Sequence, residues 1–491
     1  MSQESVAYDV VVVGAGNAAL CAALSAREQG ASVVVLEKAP PAAQGGNCPY
    51  TGAGFRFLHN GIEDLRGLLP DLTDDEAARA SMAPYTEEDF RNHLLTVTHG
   101  DTDPALMETL ISESRPTVEW MHARGVTWEL PDRNRPAASA PSAIPGSVGL
   151  TALESGPGLI RMLTTAARRA GITILYETKM VRLLQDSRGG VCGVAAQDVD
   201  GVHEIKAQGV VLACGGFEAN PEMRVKYLGQ GWERAKVRGA KYNTGDGHRA
   251  ALDVGAKPTG QWTGCHATPI DADAPPTGVL ELTDSMPRRS YPLGITVNLE
   301  GLRFIDEGAG FAEQTFVKMG TRILEQERGL AFQVYDSKAA PLLEERYGAS
   351  GSVKADTVRG LADALRISPT VLETTVSEFN AVAHDGEYKP REMDGRSTTG
   401  LNPPKTNWAI KLDSPPFIAF KVTGGITYTY GGPKIDQRAQ VLDMEDRPIP
   451  GLFAAGEIVG GIFYHNSLRA GGLMHGAVFG KLAGGNAARG G

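Results

Sequence analysis

The chain has 491 residues, 42% of them hydrophobic and 22% charged, with a net charge of −10; these values exclude a membrane-embedded bundle, a disordered chain and the basic footprint of a nucleic-acid binder. The length exceeds the roughly 250–300 residues that one hydrophobic core supports, so more than one structural unit is expected. Glycine is the anomaly: 60 residues, about 12% against an average near 7%, with no three-residue period, so the excess belongs where backbone bends sharply or approaches a ligand closely.

The first forty residues read as one βαβ unit. Residues 8–13 are a short apolar run rich in valine, as a strand buried on both faces should be. Gly14, Ala15, Gly16, Asn17, Ala18 and Ala19 follow, then an alanine-rich helical pattern to Gln29, stopped by Gly30, and a second β-rich run at 32–36 ending at Glu37. Gly14 permits the tight turn, Gly16 lets backbone N–H groups approach a pyrophosphate, and Ala19 keeps the helix close to the strand. Glu37 stands at the distance from which an acid accepts hydrogen bonds from an adenosine ribose. Strand, turn, helix and acid agree, which makes this a dinucleotide-binding signature.

Residues 44–55 are small, polar and glycine-rich, text that can lie along a flat ligand. Polar and helical sequence runs to about 135, and the Pro/Ala/Ser stretch at 136–145 reads as a mobile loop. A helix is expected from Ser155, followed by strands at 172–176 and 181–184 and a buried strand at 210–217 that ends in paired glycines. Residues 241–256 read as a glycine loop feeding a short helix. From about 262 to 425 the texture changes, with more proline and charge and amphipathic helices at 355–365 and 369–382. Glycine-rich strand sequence returns at 424–432 and 450–457. The expected organisation is therefore α/β, a discontinuous Rossmann-like nucleotide domain (1–262 and 426–491) interrupted by an α+β capping domain (263–425).

Five cysteines (Cys21, Cys48, Cys192, Cys214 and Cys265) lie without a CxxC pair, which argues against a disulfide framework or a metal site and for a reducing cytoplasm. The N-terminal text has no basic stretch ahead of an apolar run, so no export leader is expected, and no stretch reaches the roughly 18 apolar residues of a spanning helix.

Five motifs in order, GAGNAA (14–19) with Glu37, GGN (45–47), VVLACGGFEAN (210–220), NTGDG (243–247) and GLFAAGE (451–457), resemble the flavoprotein family of succinate dehydrogenases and fumarate reductases, which includes urocanate reductases and 3-ketosteroid dehydrogenases. GLNPPKTNWA (400–409), GGITYTYGG (424–432) and GEIVGGIFYHN (456–466) are most similar to the tricarballylate dehydrogenase branch. The resemblance implies a cap closing over FAD. It places cofactor contacts at Gly14, Ala15, Gly16, Asn17, Ala18, Glu37, Lys38, Gly46, Asn47, Cys48, Thr51, Gly52, Ala53, Gly54, Ala213, Gly215, Asp246, Tyr428, Gly456, Glu457, Gly472 and Leu473. The histidine that attaches flavin covalently in succinate dehydrogenases has no counterpart near Asn47, so FAD is expected to be non-covalent. No second GxGxxG follows a later strand, so electrons are expected to pass to or from an external carrier: a quinone, O2 or a partner redox protein.

Of the residues that fumarate reductases use on substrate, His266 is retained, whereas Thr427 and Ser467 stand where the family has a second histidine and an anchoring arginine; this argues against fumarate or succinate. Arg469 is expected to clamp a substrate carboxylate or to stabilise the reduced flavin, a solvated surface arginine being the alternative. Arg288, with Arg289 beside it, Tyr291, Lys318, Tyr430, Tyr464 and His465 are candidate substrate contacts or proton carriers, and one of the two adjacent arginines is expected on the surface. The expected reaction is desaturation of a small carboxylic acid or cyclic ketone by hydride transfer, or the reverse reduction. A flavoprotein electron-transfer subunit and an oxidase are the other classes considered.

Overall fold

The valine-rich opening forms strand β1 (Ala7–Val13), followed by helix α1 (Asn17–Glu28) and strand β2 (Val33–Leu36). These belong to a computed structural model that describes residues 7–80, 82–131, 148–349 and 351–490; the segment 136–145 lies outside them. β1 and β2 are parallel, Val10 opposite Val33 and Val13 opposite Leu36, and their apolar stretches are buried because helices and loops cover both faces. Helix α2 (Ser155–Arg169) leads to β3 (Thr173–Leu175), which extends the sheet beyond β2. An antiparallel meander, Lys179–Gln185 and Val191–Asp198, then turns into the long strand β4 (Gly201–Leu212). The apolar end of β4 runs parallel to β1, with Val210 opposite Val11.

The second unit is built on another sheet. Strand β5 (Pro258–Asp271) leaves the nucleotide domain, helix α3 (Ala312–Leu324) and strand β6 (Leu330–Tyr335) follow, and β7 (Phe417–Pro433) returns. β5 and β7 are antiparallel along most of their length, with His266 opposite Tyr428 and Asp271 opposite Val422. Positions 262 and 425 therefore lie within one continuous two-stranded ribbon that carries the chain out and back. β6 packs beside β7, and a separate apolar cluster including Leu361, Leu372 and Phe379 fills this unit.

Past the ribbon, β8 (Pro448–Ala454) re-enters the first sheet next to β4, completing a parallel order β8-β4-β1-β2-β3. The last helix, α4 (Gly471–Ala487), lies against α1. A Cβ at Gly480 would stand 2.3 Å from the Ala18 carbonyl oxygen and one at Gly484 only 1.9 Å from that of Ala22. Only glycine allows the two helices this close, which brings both N-termini toward the same end of the sheet. Among the described residues no helix is long and apolar enough to cross a membrane.

Candidate active site

At the carboxyl ends of β1, β4 and β8 the structure opens into a cavity of about 2100 Å³ that extends under the second unit. The turn after β1 shapes its floor. Gly14 has φ +105° and a Cβ there would meet the Ala213 carbonyl at 2.4 Å; Gly16 is the N-cap of α1, with no side chain capping the helix and no acid in its first turn. The helix dipole and the first-turn amides, that of Asn17 donating to Cys48 Sγ at 3.3 Å, therefore face the cavity, the arrangement that holds a phosphate. Glu37 braces the turn by accepting from the amides of Ala15 (3.0 Å) and Ala39 (2.7 Å). Lys38 donates to Thr244 and to Asp246, at 2.8 Å; burial opposes ionisation of Asp246, but Lys38, Thr244 and Lys179 pull its carboxyl down to about 2.

All the residues to which the resemblance assigns cofactor contacts, from Gly14 to Leu473, line this one cavity. The Asn47 amide donates to Glu218 at 2.7 Å and to the Thr427 carbonyl at 2.8 Å, while its carbonyl accepts from Ala240 N. Glu457 accepts from the Thr429 amide at 3.1 Å. Burial and the neighbouring Glu218 carboxyl hold Glu457 well above the usual carboxylate range. Glu218, itself fully buried, is a site-shaping residue that the candidate set missed, although it stands inside the VVLACGGFEAN motif. Helix α4 also presents an N-terminus without an acid or a side-chain cap, and Gly472 and Leu473 carry it to the cavity wall. Thr427 Oγ1, Thr429 Oγ1 and His475 Nε2 are buried on the same wall without a partner in the protein. Two open helix ends, an acid-braced glycine turn and unpaired polar atoms fit a flat, polar, diphosphate-bearing group such as FAD.

Beyond this cradle the ribbon sets His266 over Tyr428, their rings stacked at 5.4 Å with 9° between planes, and Phe316 from α3 meets the imidazole edge at 4.8 Å. His266 Nδ1 lies 3.2 Å from Ser467 Oγ. Burial, reinforced by Arg289 and Arg238, holds the imidazole well below its ordinary pKa and so neutral. Of the two adjacent arginines, Arg289 is the one that contributes to this wall. Its Nε donates to Thr268 at 3.2 Å and its guanidinium lies 4.5 Å from the Phe316 ring centroid. Burial and the nearby Arg238 and Arg346 lower its pKa to about 10. Arg469 also reaches the cavity, but at its half-exposed mouth, 3.7 Å from Glu313.

The remaining sequence candidates stand elsewhere. Neither adjacent arginine is a surface residue, contrary to expectation: Arg288 is fully buried and ion-paired with Asp271 at 2.9 Å, so its neighbour alone faces the cavity. The Tyr291 hydroxyl is held at 2.7 Å from Thr315 inside the second unit. Lys318 is exposed, because two helical positions place it about 200° around α3 from the inward-facing Phe316. Tyr464 lies off the cavity wall, and His465 meets Asp101 at 2.9 Å and stacks on His99. Tyr430 lines the cavity, its hydroxyl kept protonated by burial.

The model of the family described as "FAD binding domain" matches residues 9–473. The chain is 29% identical over 485 residues to the probable fumarate reductase Ifc3 of Shewanella frigidimarina, covering 98% of this chain and 74% of that protein. It is 30% identical over 498 residues to the urocanate reductase of Eggerthella lenta, covering 98% and 74%. The open conformation of a flavocytochrome c3 fumarate reductase superposes with a TM-score of 0.74 at 27% identity, over 99% of this chain and 78% of that one. The cradle, the matched family and these relatives agree: the chain belongs to the FAD-binding family of the fumarate reductase flavoproteins, and it is an FAD-dependent oxidoreductase acting on CH–CH bonds.

Proposed function

We propose that the protein reduces an activated carbon–carbon double bond in a small organic acid or ketone, desaturation being the reverse reaction, with electrons delivered by an external carrier of quinone or redox-protein type. The reducing direction is supported by the names of the two relatives above, both reductases. FAD, when bound, supplies the hydride chemistry. The chain's own residues position the substrate. The observation that carries this reading is the grouping of neutral His266, hydrogen-bonded Ser467 and Arg289 on one wall of the cavity whose floor is the phosphate turn. A neutral imidazole donates a hydrogen bond to a carbonyl or carboxylate oxygen without forming a fixed ion pair, and so polarises the conjugated bond. Arg289, clamped by Thr268 and Phe316, supplies the positive charge. Tyr430, which lines the same cavity and is kept protonated by burial, is the proton donor of this proposal.

Non-covalent attachment of FAD is supported by the residues around Asn47, none of which is a histidine. A cytoplasmic location rests on the scattered cysteines, all five of them free. The likeness to the tricarballylate branch rests on the sequence motifs alone, and the site carries Ser467 rather than a second anchoring cation. The division at 262–263 and 425–426 is a working boundary between cofactor and capping units. The test is to purify the protein, record the visible flavin spectrum, reduce it anaerobically and add a panel of unsaturated acids and ketones. Reoxidation by at least one of them is expected; a protein that takes up no flavin even on reconstitution, or whose reduced flavin none of them oxidises, would overturn the reading.

A further inference from the structure

The cations of the cavity wall are unequal. Lys38 and Lys179 are both committed to Asp246. Arg238 pairs with Asp284 at 3.2 Å, Arg346 lies 3.7 Å from Glu344 and Arg469 3.7 Å from Glu313. Arg391 is exposed to water at the outer rim. Among the described residues, Arg289 is the enclosed cation of this wall with no ion pair of its own: its side chain meets a threonine hydroxyl and an aromatic face, and the nearby Glu344 carboxylate is engaged by the Arg289 backbone amide and by Arg346.

The charge sits with Thr268, Arg238, Arg346 and Glu344 on its polar side, and the wall that continues from it is apolar. Phe316 lies under the guanidinium, and Phe311, Leu293 and Leu343 continue the cap-side wall. A substrate with one anionic group satisfies Arg289 and lays the rest of its body on this surface. A second or third carboxylate would be desolvated against phenyl and leucyl groups without a free cation, which is costly.

We propose that the substrate is an α,β-unsaturated monocarboxylate with an apolar aryl or acyl body, its carboxylate held by Arg289 and His266 and its body on the Phe316, Phe311 and Leu293 wall. This rests on the CH–CH reductase reading above and narrows it. The change is balanced: the double bond gains a hydride from the reduced flavin and a proton from a side chain, and a two-electron donor of the external-carrier class restores the flavin.

Anaerobically reduced holoprotein is mixed in a stopped-flow instrument with cinnamate, trans-2-hexenoate, fumarate, cis-aconitate or 2-cyclohexenone, and flavin reoxidation is followed. The two monocarboxylates are expected to react at least tenfold faster, per unit concentration, than the other three. Arg289→Met is expected to lose at least a hundredfold with cinnamate while keeping bound flavin. Faster reoxidation by fumarate, aconitate or cyclohexenone would overturn the proposal and leave the oxidoreductase reading in place, whereas reoxidation by none of the five would overturn both. The wild-type ratios decide even where the variant fails to fold.

Discussion

Ser467 Oγ and His266 Nδ1 meet at 3.2 Å across the junction of the two structural units, one from the loop before α4 and the other from the ribbon strand β5. The contact fixes the ring orientation of a neutral imidazole. Ser467→Ala removes one hydrogen bond of ordinary strength, about 1 kcal/mol, so single-turnover rates should fall by roughly three- to tenfold. His266→Ala removes the group itself and should cost at least a hundredfold. Flavin content, read from the visible spectrum, should be unchanged in both.

Arg288 and Arg289 should separate cleanly. Arg288→Met takes the guanidinium from the partly buried Asp271, which keeps the Asp273 amide at 2.8 Å, so chemical denaturation should show a loss of about 1–3 kcal/mol, against a turnover per bound flavin close to that of the parent. Arg289→Met should show the opposite pattern, a modest change in stability and a collapse of turnover.

Helix α4 can approach α1 only with glycine at the contact. A methyl group at 484 would stand 1.9 Å from the Ala22 carbonyl oxygen, and the helices must separate to admit it. Gly484→Ala should therefore destabilise by about 1–3 kcal/mol and weaken FAD retention, because both helix N-termini line the cavity. Gly67→Ala, away from the cavity, with open space around it and no left-handed backbone, should leave FAD retention intact; thermal melts with and without added FAD compare the two.

Acid should destabilise the protein through its buried histidines. Burial pushes His248 down to about 4, the hydrogen bond to the Gly431 carbonyl only partly opposing this, and burial pushes His475 to about 4 as well. Each takes a proton near 6.5 when unfolded, so above that pH neither affects stability. As pH falls from 6.5 toward 4 the unfolded chain binds the extra protons and stability is lost, up to about 3 kcal/mol for each histidine. Denaturation midpoints at pH 7.5, 6 and 4.5 should fall in that order, and His248→Gln should flatten the trend.

The cofactor half of the site was legible because its signals are local in the chain. Gly14, Gly16 and Glu37 state a turn, a close approach and a ribose-directed acid within one βαβ unit, and the structure puts all three on one cavity floor, with Glu37 also bracing the turn. The substrate half depends on directions that one-dimensional text does not carry. Arg288 and Arg289 are chemically identical in sequence; their roles diverge because Asp271, near the end of β5, captures the first. Lys318 reads as a candidate until α3 is seen to spend its inward face on Phe316. Glu218 was within reach, since a carboxylate two positions after paired glycines at a strand end is surrounded by backbone and must find a donor, here Asn47 and Asn243.

The most direct test of the account compares single-turnover reoxidation of the reduced, FAD-loaded wild-type protein by an unsaturated acid with that of His266→Ala, Arg289→Met and Arg469→Ala. The account predicts full flavin occupancy in all four, losses of at least a hundredfold at His266 and Arg289, and a smaller loss at the half-exposed Arg469. Wild-type rates in both His266→Ala and Arg289→Met would contradict it.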